Sequence, residues 1–481
     1  MQCRAAFLFA LSFSIVADLG CQRASRYPAV VTIKAPGPDE KRAASPTWSW
    51  QLPQFAPDAV DMPIVFIAHG HKDWDGLRGY WNVFPGPGAG ARTIHLGQTP
   101  VAIAGAMMLA SQLDAVKIKV PLGLPDPMPN IPPANPPTFA QWKLGRQIFF
   151  LRKLVAGADT FACASCHQPQ FGFGEDRSIT LNGMRNTPGL INAVYNRHQF
   201  WEGRATTLEE VLVRTLEDEL LPDEKPRRGP QETHRWGGLA RALEADIDYR
   251  LRFRQVFGVE QPTQDAIAKA LATYVRTILS GNSLIDRAGL ERRRTKAPEL
   301  LAEHFAPLLD AETLKTLLAG KETKDAVAHK LARGHRLFHG KGCATCHPRP
   351  LFTDHDFHNI GIGESDRFRQ SGEETGRFAQ VPIGLKEARL IGAFRTPTLR
   401  ALPRTAPYFH DGTAPDLRSV VNHFNDGVRG PRDYLAKALH PGADGRVKSL
   451  EMSVDNVDAL VLFLRALDGD PVDSTVTAAP K

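Results

Sequence analysis

The sequence predicts a mainly α-helical fold made of two tandem domains of one kind, with a small α/β domain in front of them. Two observations predict it. From residue 138 onward, apolar residues recur at helical spacing in runs separated by long loops. Within that part a short pattern occurs twice, as Cys163-Ala-Ser-Cys166-His167 and Cys343-Ala-Thr-Cys346-His347, the two starts lying 180 residues apart. That separation gives each copy room for a domain of its own.

Cys-x-x-Cys-His has a strict chemical logic. Two thiols three residues apart on a helical turn add to the two vinyl groups of a haem, and the next residue places its imidazole under the iron. The pattern predicts two covalently bound haem c groups, attached through Cys163, Cys166, Cys343 and Cys346, with His167 and His347 as proximal iron ligands. The two domains are then tandem c-type cytochrome folds. The competing reading is a zinc site using the four Cys, or two redox dithiols. The chain has six Cys. Cys3 and Cys21 belong to the N-terminal region, so none is left for a structural disulfide. Exported proteins often use Cys for disulfides, and here the four are used up in the two patterns.

In chain order, residues 1–20 read as a signal peptide. Arg4 is the basic start, and Ala5 to Ala17 is an apolar run too short to span a bilayer. Leu19-Gly20-Cys21 resembles a lipoprotein cleavage site, although Asp18 stands where that motif prefers Leu; lipidation of Cys21 and plain export both stay open. Either way the expected location is the periplasm, as a soluble chain or one tethered by lipid. Residues 21–60 read as a tether, and 61–120 as a small α/β domain. Its expected strands are Ile64 to Ala68, Thr93 to Leu96 and Val116 to Val120, with a helix from Pro100 to Leu113. Pro121 to Pro137 carries eight prolines and reads as an extended linker.

The first haem domain is expected over 138–325. Thr207 opens an amphipathic run through Leu208, Val211, Leu212, Leu216 and Leu220. Thr263 opens another through Ile267, Leu271, Tyr274, Val275 and Ile278, with Gly281 as its stop. The second domain is expected over 326–470. There Ser453 opens a helix with Val457, Leu460, Val461 and Leu464 inward. Residues 471–481 read as a tail. The net charge of +7 suits an acidic redox partner or an anionic surface, or simply a basic soluble protein. No Lys/Arg tract with interleaved aromatics occurs, so nucleic-acid binding is not indicated. His69 and His71 alone do not make a metal site.

Several further stretches resemble the bacterial dihaem cytochrome c peroxidases and MauG-type enzymes. They are Lys143-Leu-Gly-Arg-Gln-Ile-Phe-Phe150, Arg185-Asn-Thr-Pro188, Gln199-Phe-Trp-Glu-Gly-Arg-Ala205 and Leu279-Ser-Gly-Asn-Ser283 in the first half. In the second half they are Pro350-Leu-Phe-Thr353, Phe357-His-Asn-Ile-Gly361, Phe394-Arg-Thr-Pro-Thr-Leu-Arg400 and Thr405-Ala-Pro-Tyr-Phe-His-Asp-Gly412. The likeness runs from about residue 132 to 470. It implies that the first haem is the peroxide site and that the second passes electrons from a donor, a small cytochrome c or a cupredoxin. It implies that Trp201 lies between the haems as an electron relay. It implies a calcium ion between the domains, with Asn186, Thr405 and Pro407 at its ligand positions; oxygen ligands suit that ion. A homodimer is compatible with it.

The departures from the family carry as much information. Between Phe171 and Arg185 there is no His, only Met184, so the loop that blocks the first iron in the peroxidases is missing its ligand. The family's Gln and Glu above that haem fall here on Val211 and Leu221. Peroxide cleavage needs a proton carrier, and Glu217 and Glu219 are the nearest candidates, with solvated helix charges as the alternative reading. At the second haem the family's distal Met or Tyr falls on Phe424. Leu417, Val420, Val421 and Phe424 share one helical face, which is expected to meet the haem. Phe has no lone pair for iron. His423 lies about 100° around the helix; His410 and Met452 are further candidates.

Three functions compete on this reading. They are a peroxidase reducing hydrogen peroxide to water, a MauG-like oxidase of a partner protein, and a non-catalytic dihaem electron carrier or sensor.

Overall fold

A computed structural model describes residues 63–71, 74, 81–82, 116–153, 161–177, 185–215, 237–317, 322–362, 375–427 and 449–480. The signal peptide, Cys21 and the tether lie outside the described residues, as do the expected strand Thr93 to Leu96 and helix Pro100 to Leu113. Among the described residues no helix is long and apolar enough to cross a membrane.

Strands β1 (Ile64–Ala68) and β3 (Val116–Val120) form with the bounds read from the sequence. They pair in parallel from Ile64↔Val116 to Ala68↔Val120, and the two-residue β2 (Trp81–Asn82) adds antiparallel to β3. The alternating valine and isoleucine residues of β3 are fully buried. Among the described residues they close no separate core. Ile64, Val116, Ile118 and Val120 pack in the same apolar cluster as Trp142, Ile148 and Tyr274 of the helical part. Residues 121–137 differ from the expected extended spacer. Leu122 and Ile131 are buried, Met128–Asn130 is a short 3-10 turn, and Asn282 N donates to Leu122 O at 2.7 Å. The prolines stiffen a packed strap here.

The helices of the first half are α1 (Phe139–Phe150), α2 (Cys163–Cys166), α3 (Leu208–Arg214), α4 (Gly237–Ala245), α5 (Ile247–Phe257) and α6 (Gln264–Val275). Then follow α7 (Leu284–Thr295), α8 (Ala302–Phe305), α9 (Ala311–Leu317), α10 (Lys324–Gly340) and α11 (Cys343–Cys346). A two-stranded antiparallel pair, β4 (Phe357–His358) and β5 (Phe394–Arg395), precedes α12 (Leu417–Asn425), α13 (Val454–Arg465) and α14 (Ser474–Thr477).

The starts of α3, α6 and α13 are fixed by the caps read from the sequence: Thr207, Thr263 and Ser453 each accept a backbone N–H from three residues on. The stop of α6 differs. The helix ends at Val275, and Gly281 caps nothing. Gly281 is needed for close approach instead, since a Cβ there would sit 2.8 Å from the Leu122 carbonyl oxygen.

The same crossing occurs twice. α1, which leads to the first Cys pair, crosses α6 at Gly145, where a Cβ would collide with the Ala270 carbonyl. α10, which leads to the second pair, crosses α13 at Gly334, where a Cβ would collide with the Ala459 carbonyl. Each crossing lets two helix backbones touch.

Among the described residues two large apolar clusters result, beside a small third one of Phe357, Leu390 and Ala393, and the boundary between the two large ones differs from the expected one at 325. Leu284, Ile285, Leu300, Phe305, Leu309 and Leu317 belong to the second cluster, with Phe338 and Phe463. The expected tail also packs: Val472 and Val476 join the first cluster, and Tyr274 Oη donates to Val476 O at 2.7 Å. A clamp tightens the junction. Arg400 and Asp286, both almost fully buried, pair through two contacts at 2.8 and 3.1 Å, and Arg400 also donates to Gly123 O and Pro350 O. Asp286→Ala leaves the guanidinium buried and uncompensated, and is expected to lower stability by about 3–5 kcal/mol. A denaturant midpoint unchanged from wild type would remove the clamp from the account.

Candidate functional site

Both Cys pairs sit on a single helical turn, closed by His167 N donating to Cys163 O at 2.9 Å and His347 N donating to Cys343 O at 3.0 Å. The two imidazoles are held alike. His167 Nδ1 lies 2.8 Å from the Phe173 carbonyl, and His347 Nδ1 lies 2.9 Å from the Phe352 carbonyl. Phe173 and Phe352 both have left-handed backbones, with φ of 58° and 55°. Such a conformation is strained for a bulky residue, and here it occurs at matching places in both halves. A carbonyl at Nδ1 fixes the tautomer and leaves Nε2 as the ligating nitrogen. Burial depresses the pKa of both rings, which keeps them neutral, as a ligand must be.

Burial also pushes the Cys163 thiol up to about 12 and the Cys343 thiol up to about 11. The two pairs also pack against different apolar clusters, Cys163 against the first and Cys343 against the second. Among the described residues the group that could gather a metal is Cys346, Asp354 and His358. His358 is raised to about 10, first by its hydrogen bond to Asp354 at 2.8 Å. Once the Cys346 sulfur is bonded to a haem, that trio loses a ligand. His69, stacked edge-on against Trp74, joins no such group.

Cys343, Cys346 and His347 open onto a cavity of about 330 Å³. Its wall includes Leu417, Val420, Val421 and Phe424, the four residues assigned to one face of α12. A largely apolar pocket with attachment thiols and a tethered imidazole on its wall fits a haem. His423 is not on that wall: its Nε2 lies 2.9 Å from Ile360 O, and its ring packs edge-on against Phe409 and Phe424. Met452 is buried in the second apolar cluster and is also absent from the wall. His410 is on it, stacked on Phe394 at 3.6 Å between ring centres. Burial, with Arg185 nearby, drops its pKa to about 3, so it is a neutral ring.

Trp201 lines the same cavity from the first half of the chain. Its Nε1 donates to Asn186 O at 2.8 Å, its carbonyl accepts from Arg395 N at 2.7 Å, and its ring meets His410 edge-on at 6.4 Å. The chain is thus bonded to both halves at this residue. Next to it, Glu202 is buried and ion-paired with both Arg185 and Arg204. Sequence reasoning passed over Glu202, because nothing local marks a buried carboxylate.

Asn186, Thr405 and Pro407 also meet on the cavity wall. Asn186 Nδ2 donates to Pro407 O at 2.6 Å, while Asn186 Oδ1 is buried without a hydrogen-bond partner. An orphaned amide oxygen beside a carbonyl is a setting that an oxygen-seeking cation satisfies. Val211 sits part-buried on α3. Met184, Glu217, Glu219 and Leu221 lie outside the described residues.

Comparison with known proteins places these features in context. A family profile described as di-haem cytochrome c peroxidase matches residues 139–295. Methylamine utilization protein MauG of Methylorubrum extorquens is 30% identical over 378 residues, covering 77% of this chain and 90% of that protein. Cytochrome c551 peroxidase of Nitrosomonas europaea is 26% identical over 363 residues, covering 74% and 88%. The crystal structure of a MauG-like protein associated with microbial copper homeostasis superposes with a TM-score of 0.55 at 23% identity, covering 75% of this chain and 98% of that one. That likeness concerns the fold.

Proposed function

Because the chain belongs to the di-haem cytochrome c peroxidase family, which includes MauG, and is an oxidoreductase of that kind, we propose that it reduces hydrogen peroxide to water in the periplasm with electrons from a small cytochrome c or cupredoxin. The observation that carries this reading is the matched pair of imidazoles, His167 on Phe173 O and His347 on Phe352 O. Two haem c groups would supply the redox chemistry, reductive cleavage of the O–O bond at one and electron storage at the other. The balance is two electrons and two protons per peroxide, giving two waters.

The protein's own groups have distinct tasks in this proposal. His167 and His347 hold the two irons, and the carbonyls of Phe173 and Phe352 keep their Nε2 atoms aimed. Trp201, hydrogen-bonded to one half and accepting from the other, relays electrons. Glu217 or Glu219 carries the proton that Val211 and Leu221 cannot. Asn186 Oδ1 with the main chain of Thr405 and Pro407 would hold a calcium ion. The leader before Cys21 directs export, with or without a lipid tether, and nothing in the proposal depends on whether the chain is a monomer or a homodimer.

Trp201→Phe keeps the packing but loses the indole. It is expected to slow oxidation of the second haem after peroxide reaches the first, with haem content unchanged. Stopped-flow spectra at the two haems read this directly, and unchanged kinetics would reduce Trp201 to a packing residue.

A MauG-like oxidation of a partner protein's side chains is the second reading. It is favoured by the absence of any His between Phe171 and Arg185, which leaves the first iron open at rest. A covalent change in a co-expressed partner, seen by mass spectrometry, would select it.

A further inference from the structure

We propose that a basic collar around the second haem-attachment turn is the docking surface for an acidic electron-donor protein. The proposal rests on the reading that the second haem receives electrons from a donor, and adds the place and the charge of the partner.

The collar comes from α10, the turn that leads into Cys343, and the segment just after His347. Arg333 and Arg336 project from the last turns of α10 and, with Leu337, Gly340 and Lys341, line a shallow groove. Lys341 also lines the haem cavity, as does Gly342. Groove and cavity therefore share a wall, at the point where the chain turns into Cys343. Arg349, two residues after His347, lies against Gly289 of α7 with Arg293 beside it, and acts on His335 and His339 of α10. Arg293, Arg333, Arg336, Lys341 and Arg349 are all exposed.

These cations act on common neighbours. Burial and then His339, Arg349, Arg292 and Arg336 hold His335 down to about 4. Asp286 reaches Arg349 at 3.5 Å but is paired bidentately with Arg400, and Glu291 pairs with Arg294.

A positive ring around a redox edge draws in an acidic protein and raises the encounter rate. Gly340, Lys341, Gly342 and Thr345 are exposed, so the partner can reach the attachment turn itself. The chain's net charge of +7 adds a long-range attraction of the same sign.

The test uses the full holoprotein with a strongly acidic, pre-reduced type 1 copper protein as probe. Its rate of electron delivery to the second haem is measured by stopped flow, and its affinity by calorimetry with the oxidised probe. The rate and affinity are expected to fall about ten-fold or more between low salt and about 0.3 M salt. Arg333→Glu combined with Arg336→Glu is expected to lower both about ten-fold at low salt, with haem content and reduction by dithionite unchanged. A basic small cytochrome c should show the opposite salt trend. Salt-independent delivery, or a double variant that matches wild type, would overturn the docking surface. So would a double variant that loses only its binding to phosphatidylglycerol vesicles, since the collar would then face a membrane. If the dithionite-reduced second haem is not reoxidised by peroxide, the peroxidase reading falls and the proposal with it. If that reoxidation proceeds while the salt and charge effects are missing, the docking surface alone falls.

Discussion

His167→Ala is expected to bring peroxide turnover down to the uncatalysed background while the second haem stays attached. The reasoning starts from the Phe173 carbonyl, which binds Nδ1 and leaves Nε2 as the ligand to the first iron. Alanine removes that ligand and leaves Cys343, Cys346 and His347 intact, with Cys343 packed against the other large apolar cluster. The first iron carries the peroxide in this account because the sequence after Phe171 lacks the His that would block it. His347→Ala is expected to behave differently, keeping the first reaction with peroxide and losing sustained turnover with a protein donor. Steady-state assays with parallel haem quantification separate the two. If His347→Ala abolishes the reaction with peroxide and His167→Ala spares it, the roles of the two haems are reversed.

Phe424→Met is expected to convert the second haem to a low-spin, Met-ligated state, with the weak red or near-infrared band of an iron–sulfur bond and a raised potential. In wild type that haem is expected to be high-spin, five-coordinate or carrying a weak ligand such as water. Phe424 lies on the cavity wall with Leu417, Val420 and Val421, so a side chain at this position reaches the pocket. A phenyl ring has no lone pair to offer. His423, the next residue back, is turned away and bonded to Ile360 O, so ligation by it requires breaking that contact and rotating about a quarter turn. Phe424→Tyr is expected to give a MauG-like ligand set. A wild-type second haem that is already low-spin, and that His423→Ala or His410→Ala turns high-spin, would show that the ligand comes from elsewhere.

The legible parts of this chain are those that local chemistry determines. The bounds of β3 follow from alternating Val116, Ile118 and Val120 stopped by Pro121, and those of β1 from an apolar run that starts after Pro63 and ends before His69-Gly70. The caps Thr207, Thr263 and Ser453 are visible because a hydroxyl satisfies an N–H three residues away, which any window of sequence shows. The cavity face of α12 is legible because helical spacing is local too. What escaped is non-local. Asp286 and Arg400 pair across 114 residues, and neither announces it in its own neighbourhood. The passage of α7 through α9 into the second core is decided by Leu284, Leu300 and Phe305, whose pattern fits either neighbour. The docking of Val472 and Val476 depends on α1 and α6 together, since Arg146 of α1 donates to Ala478 O and Tyr274 of α6 to Val476 O. Gly281 fits a helix stop by sequence because glycine serves both there and at a close approach, and the Leu122 carbonyl distinguishes them.

The central claim is that each Cys-x-x-Cys-His turn carries one covalent haem. The purified exported protein, denatured and reduced in alkaline pyridine, measures it directly through the c-type absorption band relative to protein concentration. The account predicts two c-type haems per chain, retained after acid–acetone extraction because both are bonded through sulfur. One haem, none, or haem that the solvent extracts would contradict it.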